Sequence, residues 1–187
     1  RHADPQNRSE MIHAVKAMEN LKNDTAFDTL ADFIERGGSD PGFHSYRGNF
    51  IESLGEHPRR EEALDTLIGT MHEDQLIDAR NKSAQALGKI RSPETLPELY
   101  NALEKERYWV IKQTILGTIG KIGSPDSFPV LEGQARTAKE SGVRLSAMSA
   151  IRRIGTPQGE RTLRGILRDE SDPEVRKRVE AWLAGKE

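Results

Sequence analysis

The side chains that most often carry catalysis or bind metals are sparse here and form no recognisable arrangement. None of the five histidines lies four residues from another, so the helical histidine pair that binds zinc is absent. His72, Glu73 and Asp74 are adjacent and could bind a metal together, but no second group of this kind accompanies them. We therefore predict no metal site.

Other common chemistries lack their residues as well. The chain has no cysteine, which excludes disulfides, thiolate metal ligands and a cysteine nucleophile. Gly37-Gly38 lacks the lysine and the preceding strand of a phosphate-binding loop. The serines have no recognisable base partner, and paired carboxylates such as Asp169-Glu170 are expected at exposed helix ends. We predict a non-enzymatic protein without a cofactor.

The composition suits a thin helical protein. Aromatic residues make up 5% of the chain and charged residues 31%, with a formal net charge of -2. A compact β-rich enzyme would carry more β-branched and aromatic runs. No apolar run approaches the roughly 18 residues that span a bilayer. A cysteine-free chain that starts at Arg1 is compatible with cytoplasm, periplasm or secretion, and we favour the cytoplasm.

Three segments recur at a spacing of 32 residues, beginning at Ala86, Thr118 and Ala150. Each predicts a helix, a tight turn and a second helix. The apolar residues of both helices recur at spacings of three and four, which places them on one face of each helix. The turn prolines fall in register at Pro93, Pro125 and Pro157.

The residue types in each turn explain how the first helix of a repeat ends and the second begins; we call this turn the corner of the repeat. Gly123 and Gly155 stand where a helix must end in a left-handed residue, which glycine adopts without steric cost. Ser124 and Thr156 can cap the following helix, and the proline after each suits its first turn. Arg91 replaces the glycine in the remaining copy, so we expect that corner to be built differently.

The pattern predicts one domain over 1–187, with clear repeats at 76–187 and degenerate repeats at 8–75. The break at 37–42 is interpreted as a long loop between helices. About eleven helices in antiparallel pairs are expected, near 9–22, 25–36, 44–56, 59–72, 78–90, 93–106, 110–122, 125–139, 142–154, 157–168 and 173–184.

The motif x-Val-Arg-xx-Ala-xx-Ala-Leu/Ile-Gly-x-Ile-Gly-x-Pro resembles the HEAT-like repeats of phycobilisome lyases. It recurs at 79–93, 111–125 and 143–157, with a partial copy at 172–176. The resemblance implies an all-α, right-handed α-α superhelix of the HEAT-like or armadillo type. It also implies that the Val-Arg helices line the concave face and the proline-initiated helices the convex face. Such folds mostly serve as binding scaffolds.

A row of cations follows the repeat, and we call Arg47, Arg80, Lys112, Arg144 and Arg176 the basic ladder. Arg8 occupies a matching place in the weakest copy. The ladder could face an acidic partner. Alternatively, each cation pairs with a carboxylate or a helix-end carbonyl of a neighbouring repeat, and we favour this structural role.

Positions beside the apolar stripe predict a small, polar, mildly basic concave surface that could accept an acidic peptide or a helix, or remain solvated. Tyr108 and Trp109 precede a Val-Arg helix and could anchor a protein partner or cover the repeat below. The predicted partner-binding residues are Gln85, Lys89, Lys121, Ser149, Arg153, Tyr108 and Trp109.

Trp182 stands in the register position of Ala86, Thr118 and Ala150. The small residues predict that neighbouring helices approach closely. The bulky ring of Trp182 indicates either free space at the end of the stack of repeats or an ordinary tryptophan of the core.

The leading hypothesis is a scaffold that binds a protein or peptide on its concave face. The resemblance adds a bilin lyase or a chaperone-like assistant as an alternative. Nucleic-acid binding by the basic C-terminal repeats is a further alternative that we disfavour, because carboxylates interleave with the cations and the pI is about 6.3.

Overall fold

The protein is described from a computed structural model, which describes residues 13, 17–18, 21, 23–36 and 44–185. These residues form ten α-helices with short 3-10 turns and no strand, which confirms the prediction of an all-α fold. The predicted helix at 9–22 lies largely outside the described residues, as do Arg8 and the glycine-rich break at 37–42.

The chain forms two compact units, one up to Thr95 and one from Leu96 onward. The first unit contains α1 (Asp24–Arg36), α2 (His44–Glu56), α3 (Leu64–Glu73) and α4 (Ile77–Ile90). The second contains α5 (Leu96–Lys105), α6 (Trp109–Ile122), α7 (Phe128–Thr137), α8 (Ser141–Ile154), α9 (Pro157–Asp169) and α10 (Pro173–Leu183).

Each unit has two layers of helices with an apolar core between them. In the first unit α4 packs on α2 and α3, and in the second α8 packs on α6, α7 and α9. The predicted apolar stripes supply the core, and burying each such side chain contributes about 1.5–3 kcal/mol. Fully buried examples are Leu30, Ile34, Phe50, Leu54, Leu67 and Leu87 in the first unit. The second unit has Ile111, Ile115, Leu131, Val143, Ile151 and Val179.

Two of the predicted proline-initiated helices begin with a separate 3-10 turn, at Pro93–Thr95 and Pro125–Ser127. A second proline explains the break. Pro97 and Pro129 lack the N–H that a continuous α-helix would donate four residues back. In the last copy Arg161 takes that place, and the helix runs unbroken from Pro157 to Asp169.

The corners after α4, α6 and α8 share one backbone conformation. Gly123 has a φ of 82° and Gly155 a φ of 71°, both left-handed, as the turn chemistry predicts. Arg91 has a φ of 61° and occupies the same region, so the expectation of a differently built corner is wrong. The helix end dictates this conformation, and Arg91 adopts it despite the steric cost to a residue with a Cβ.

Small residues bring neighbouring helices of one layer close together. A Cβ added at Gly55 would lie 2.6 Å from the Cβ of Ala86, between α2 and α4. A Cβ added at Gly120 would lie 2.8 Å from the Cα of Ala150, between α6 and α8. Close approach therefore occurs at two of the three predicted small positions.

Candidate partner-binding surface

Arg144 of the basic ladder binds two kinds of acceptor. Its Nε and Nη2 each donate to the Glu170 carboxylate at 2.8 Å, and its Nη1 donates to the carbonyls of Ala138 and Lys139 at 3.1 and 3.0 Å. Glu170 is almost fully buried and Arg144 largely so. The hydrogen bond from Arg144 outweighs the opposing effect of burial and lowers the pKa of Glu170.

Each of the other described arginines of the ladder binds at least one of these two kinds of acceptor. Arg47 pairs with the Asp74 carboxylate, and Arg80 donates to the carbonyl of Asp74 at 2.8 Å. Arg176 donates to the carbonyls of Leu167 and Glu170 at 2.7 and 3.0 Å. Three of these guanidinium groups therefore reach the residue that ends the preceding helix, where carbonyls lack helical partners.

Lys112 departs from the pattern, because no ion pair joins it to any residue in the described part of the chain. The residue that ends the helix after it is Ala138, where Glu170 stands one repeat later. The position therefore offers no carboxylate, and a lysine replaces the arginine.

A row of acids, which sequence reasoning missed, includes two partners of this ladder, Asp74 with Arg47 and Glu170 with Arg144. Asp74, Glu106 and Glu170 lie at multiples of 32 residues. Each accepts the backbone N–H two residues ahead, at 2.8 to 2.9 Å, so each carboxylate also shapes the turn into the next helix. The same self-comparison that found the prolines could have found this row. The bonds to Asp74 are structural and leave His72-Glu73-Asp74 without a free ligand set; no metal-binding group occurs among the described residues.

The predicted concave residues lie at different depths. Lys121 and Arg153 are exposed, whereas Gln85 and Ser149 are half-buried. Lys89 is engaged by the Glu52 and Glu56 carboxylates. Burial opposes the charge of Lys89, but these carboxylates outweigh it and raise the pKa of the ammonium group.

The aromatic pair lies at the surface of the second unit. Tyr108 is 48% exposed and Trp109 52%, and Val110, which sequence reasoning did not single out, is 44% exposed. We call these residues the 108–110 segment. Tyr108 precedes α6, and its backbone N–H donates to Glu106 at 2.9 Å. Three consecutive exposed apolar side chains can anchor a macromolecular partner.

Two further observations concern other classes of partner. None of the described helices has the length and apolarity to cross a bilayer. In the basic C-terminal repeats, Arg164 pairs with Glu160 and Arg176 approaches Glu180, so carboxylates of the same helices partly neutralise the cations there.

Comparison with known proteins identifies the family of this protein. The family described as HEAT repeats matches residues 40–117 and 97–184. These matches cover well over half of the chain, and the protein belongs to the HEAT-repeat family.

The complex of CpcE and CpcF of phycocyanin lyase from Nostoc sp. PCC7120 is a similar solved structure, with a TM-score of 0.61 and 20% identity. The match covers 91% of this chain and 69% of that chain, and it confirms the predicted HEAT-like solenoid fold. No curated protein matches the sequence.

Proposed function

We propose that this protein is a HEAT-repeat scaffold that binds another protein, with the 108–110 segment as its principal anchor. The observation that carries the proposal is the exposure of Tyr108, Trp109 and Val110 together at the start of α6. Tyrosine and tryptophan are among the residues most enriched at interface hot spots, because they bury a large rigid surface at a low entropic cost.

The contacts of the basic ladder support this choice of surface. Arg47, Arg144 and Arg176 direct their charge at carboxylates or helix-end carbonyls of their own unit. Releasing such a guanidinium to a partner would leave a buried carboxylate or several carbonyls without a donor, at a cost of several kcal/mol. A partner therefore gains more from the exposed apolar residues than from the ladder.

The polar positions make a secondary contribution in this proposal. Arg153 lies in the last turn of α8 and is exposed, so it can meet a carboxylate of a partner. Lys121, in the last turn of α6, is exposed as well but already takes part in an interaction within the protein. Gln85, Lys89 and Ser149 are less available, because they are half-buried or already ion-paired.

The test is capture of partner proteins from cells of the native source by the wild-type chain and by the variant Tyr108→Ser/Trp109→Ser. The matched control is Gln158→Ser/Arg161→Ser, two exposed residues of α9 in the other helix layer. We expect the anchor variant to weaken capture of a specific protein by at least about thirtyfold, the effect of losing one hot spot, and the control by less than about twofold. Equal capture by all three chains contradicts the proposal.

A second candidate is a lyase-type role, favoured by the fold shared with the CpcE–CpcF complex of phycocyanin lyase. In this candidate the chain assists attachment of a bilin to an acceptor protein, alone or as one member of a complex. Incubation with a bilin and an apo-acceptor tests it. Covalent, coloured acceptor supports the role, and an unmodified acceptor argues against it.

A further inference from the structure

In the second unit an arginine of one helix binds to a glycine and a carboxylate of the next. Arg136 of α7 reaches α9, where its Nη1 donates to the Asp169 carboxylate at 2.8 Å. Its Nε donates to Glu132 of its own helix at 2.9 Å. A Cβ added at Gly165 would lie 3.4 Å from Nη2 of this guanidinium, so the group lies over the bare glycine of α9. A glycine and a carboxylate one helical turn apart therefore hold a guanidinium between neighbouring helices.

The first unit has the same glycine and carboxylate without the arginine. Gly69 and Glu73 of α3 lie three repeats, or 96 residues, before Gly165 and Asp169. Both line a cavity of about 510 Å³, which we call the α1–α3 pocket. A Cβ added at Gly69 would meet no neighbouring atom within 4 Å, so nothing covers this glycine. The preceding helix, α1, contributes Glu35 to the described lining, where α7 contributes an arginine in the second unit.

The α1–α3 pocket carries an excess of negative charge. Glu35, Asp65 and Glu73 line it and are exposed. No ion pair joins these three carboxylates to the described residues, and the Thr66 hydroxyl meets Glu35 only at 3.5 Å. Charge complementarity therefore selects a cationic occupant.

The basic residues of the described lining do not neutralise this charge. Arg47 is already paired with the Asp74 carboxylate, which is a fourth acid of the lining. His44 is the other basic residue, and even in its charged form it would leave the carboxylates in excess. The acids do not converge on one point, since no metal-binding group occurs among the described residues. An extended cation such as a guanidinium, with five N–H donors, fits spread carboxylates better than a metal ion does.

Arg47 adds a second requirement for the occupant. Its side chain is 7% exposed and lines the pocket, and its Nε binds Asp74. Its Nη1 is buried and has no hydrogen-bond partner in the described part of the chain. A buried donor without an acceptor is unfavourable, so an occupant that supplies an oxygen is preferred. An arginine within a peptide meets both requirements, because backbone carbonyls accompany its guanidinium.

We propose that the α1–α3 pocket binds an arginine side chain of a partner protein. The guanidinium lies over Gly69 and is hydrogen-bonded to Glu73, as Arg136 lies over Gly165 in the second unit, and Glu35 and Asp65 complete its neutralisation. Arginine is preferred to lysine because its planar fork binds carboxylates through paired hydrogen bonds. The inference rests on the proposed function, since the ligand belongs to a protein partner, and it names the chemistry that this partner presents to the first unit.

The probe is the tripeptide acetyl-Gly-Arg-Gly-amide, which has one guanidinium and a peptide carbonyl on either side of it. In one twin citrulline replaces the arginine and keeps its shape without its charge. In the other twin lysine replaces it and keeps the charge without the fork. Binding to the full chain is measured by titration of the backbone amide signals in two-dimensional NMR. The method detects weak binding and shows in the same spectra that each variant is folded.

A double substitution tests the carboxylates. Asp65→Asn/Glu73→Gln removes two charges from the pocket at nearly constant shape. The matched control is Glu104→Gln/Asp126→Asn, which makes the same change at exposed positions of the second unit.

A single substitution tests the glycine surface. Gly69→Leu covers the place where the guanidinium is expected to lie. Its control is Gly133→Leu in α7, where an added Cβ likewise meets no neighbouring atom within 4 Å. Both positions tolerate a side chain, so a loss of binding confined to Gly69→Leu reports on the ligand.

We expect the arginine tripeptide to bind at least about tenfold more tightly than the citrulline twin and about threefold more tightly than the lysine twin. The largest shifts should occur at the amides of Gly69, Thr70 and Gln75. The carboxylate variant and Gly69→Leu should each weaken binding by at least about fivefold, and their controls by less than about twofold.

Four results overturn the proposal. They are equal affinity of the arginine tripeptide and either twin, equal losses in a pocket variant and its control, largest shifts outside the pocket, and no binding of the arginine tripeptide. Magnesium chloride that causes the same shifts at the same concentration also overturns it, because the carboxylates would then form a metal site.

The two proposals fail separately. Absence of tripeptide binding, with partner capture still sensitive to Tyr108→Ser/Trp109→Ser, overturns the arginine pocket and leaves the scaffold. Capture that is insensitive to that variant overturns the 108–110 anchor, whatever the tripeptide does.

Discussion

Arg144 holds both oxygens of the Glu170 carboxylate, with Nε and Nη2 each at 2.8 Å, and so ties the start of α8 to the end of α9. The Glu170 side chain is 2% exposed and the Arg144 side chain 14%. Removing one partner of such a pair leaves the other charge buried without compensation. The pair therefore fixes how two successive repeats of the second unit meet.

Glu170→Ala should lower the free energy of unfolding by about 3 kcal/mol, because it strands the Arg144 charge and the N–H of Asp172. The control is Glu160→Ala, which breaks the exposed Arg164–Glu160 pair and should cost less than about 1 kcal/mol. Urea unfolding compares the two variants. Equal losses would mean that the Arg144–Glu170 pair is only a surface contact.

Two glycines of α6 should respond in opposite directions to the same substitution. Gly120→Ala places a methyl group 2.8 Å from the Ala150 Cα and should destabilise the protein by about 1–3 kcal/mol. Gly117→Ala meets no atom within 4 Å and should stabilise it by about 0.5–1 kcal/mol through helix propensity. Thermal unfolding measures both, and effects of the same sign would contradict the close packing of α6 on α8.

The left-handed corners yield a second pair of alanine substitutions. Gly123→Ala should cost about 1–2 kcal/mol, because it puts a Cβ at a φ of 82°. Arg91→Ala should be nearly neutral, because Arg91 already adopts a left-handed φ with a Cβ present. Chemical denaturation measures the free energy of unfolding of both variants. A similar decrease for Arg91→Ala and Gly123→Ala would show that the corner after α4 has another conformation in solution.

His57 should make the first unit sensitive to mild acid. Its ring is buried, and Nδ1 accepts the N–H of Arg59 at 3.2 Å, while Nε2 is buried without a hydrogen-bond partner. Burial, followed by the charge of Arg59, lowers the pKa of His57 below 6.5, against smaller opposing effects of Asp24 and Glu62.

The His57 ring therefore binds a proton more readily in the unfolded chain than in the native protein. Stability should be complete above pH 6.5 and should decline as the pH falls below it, by at most about 1.4 kcal/mol per pH unit, until the native pKa is reached. His57→Asn keeps an acceptor near the Nδ1 position and cannot titrate. Unfolding measured between pH 7.5 and 5.5 should show a smaller decline for this variant than for the wild type, and parallel profiles would remove His57 as the cause.

The sequence predicted the repeat and its corners because both depend on local chemistry. Prolines at 32-residue spacing start helices, and Gly123 and Gly155 end them, whatever the neighbouring repeats do. The 3-10 turns before α5 and α7 were missed, although Pro97 and Pro129 were visible.

The surfaces were harder to predict, because they depend on contacts between elements. The partners of the basic ladder lie 26 or 27 residues away from Arg144 and Arg47, in the next repeat of each unit. The cation–π contact between Arg152 and Trp182 is also of this kind, because a pattern that records spacing alone does not reveal it. The sequence marked Trp182 as different from the small residues at its register position, and the structure places its half-buried ring against the Arg152 guanidinium.

The most direct test of the scaffold proposal is site-specific photo-crosslinking to the captured partner. A photoreactive phenylalanine derivative replaces Trp109 in one chain and Gln158, an exposed residue of α9, in another. We predict that position 109 forms a covalent adduct with the partner and that position 158 does not. Equal adducts from both positions, or an adduct from 158 alone, would contradict the claim that the 108–110 segment is the anchor.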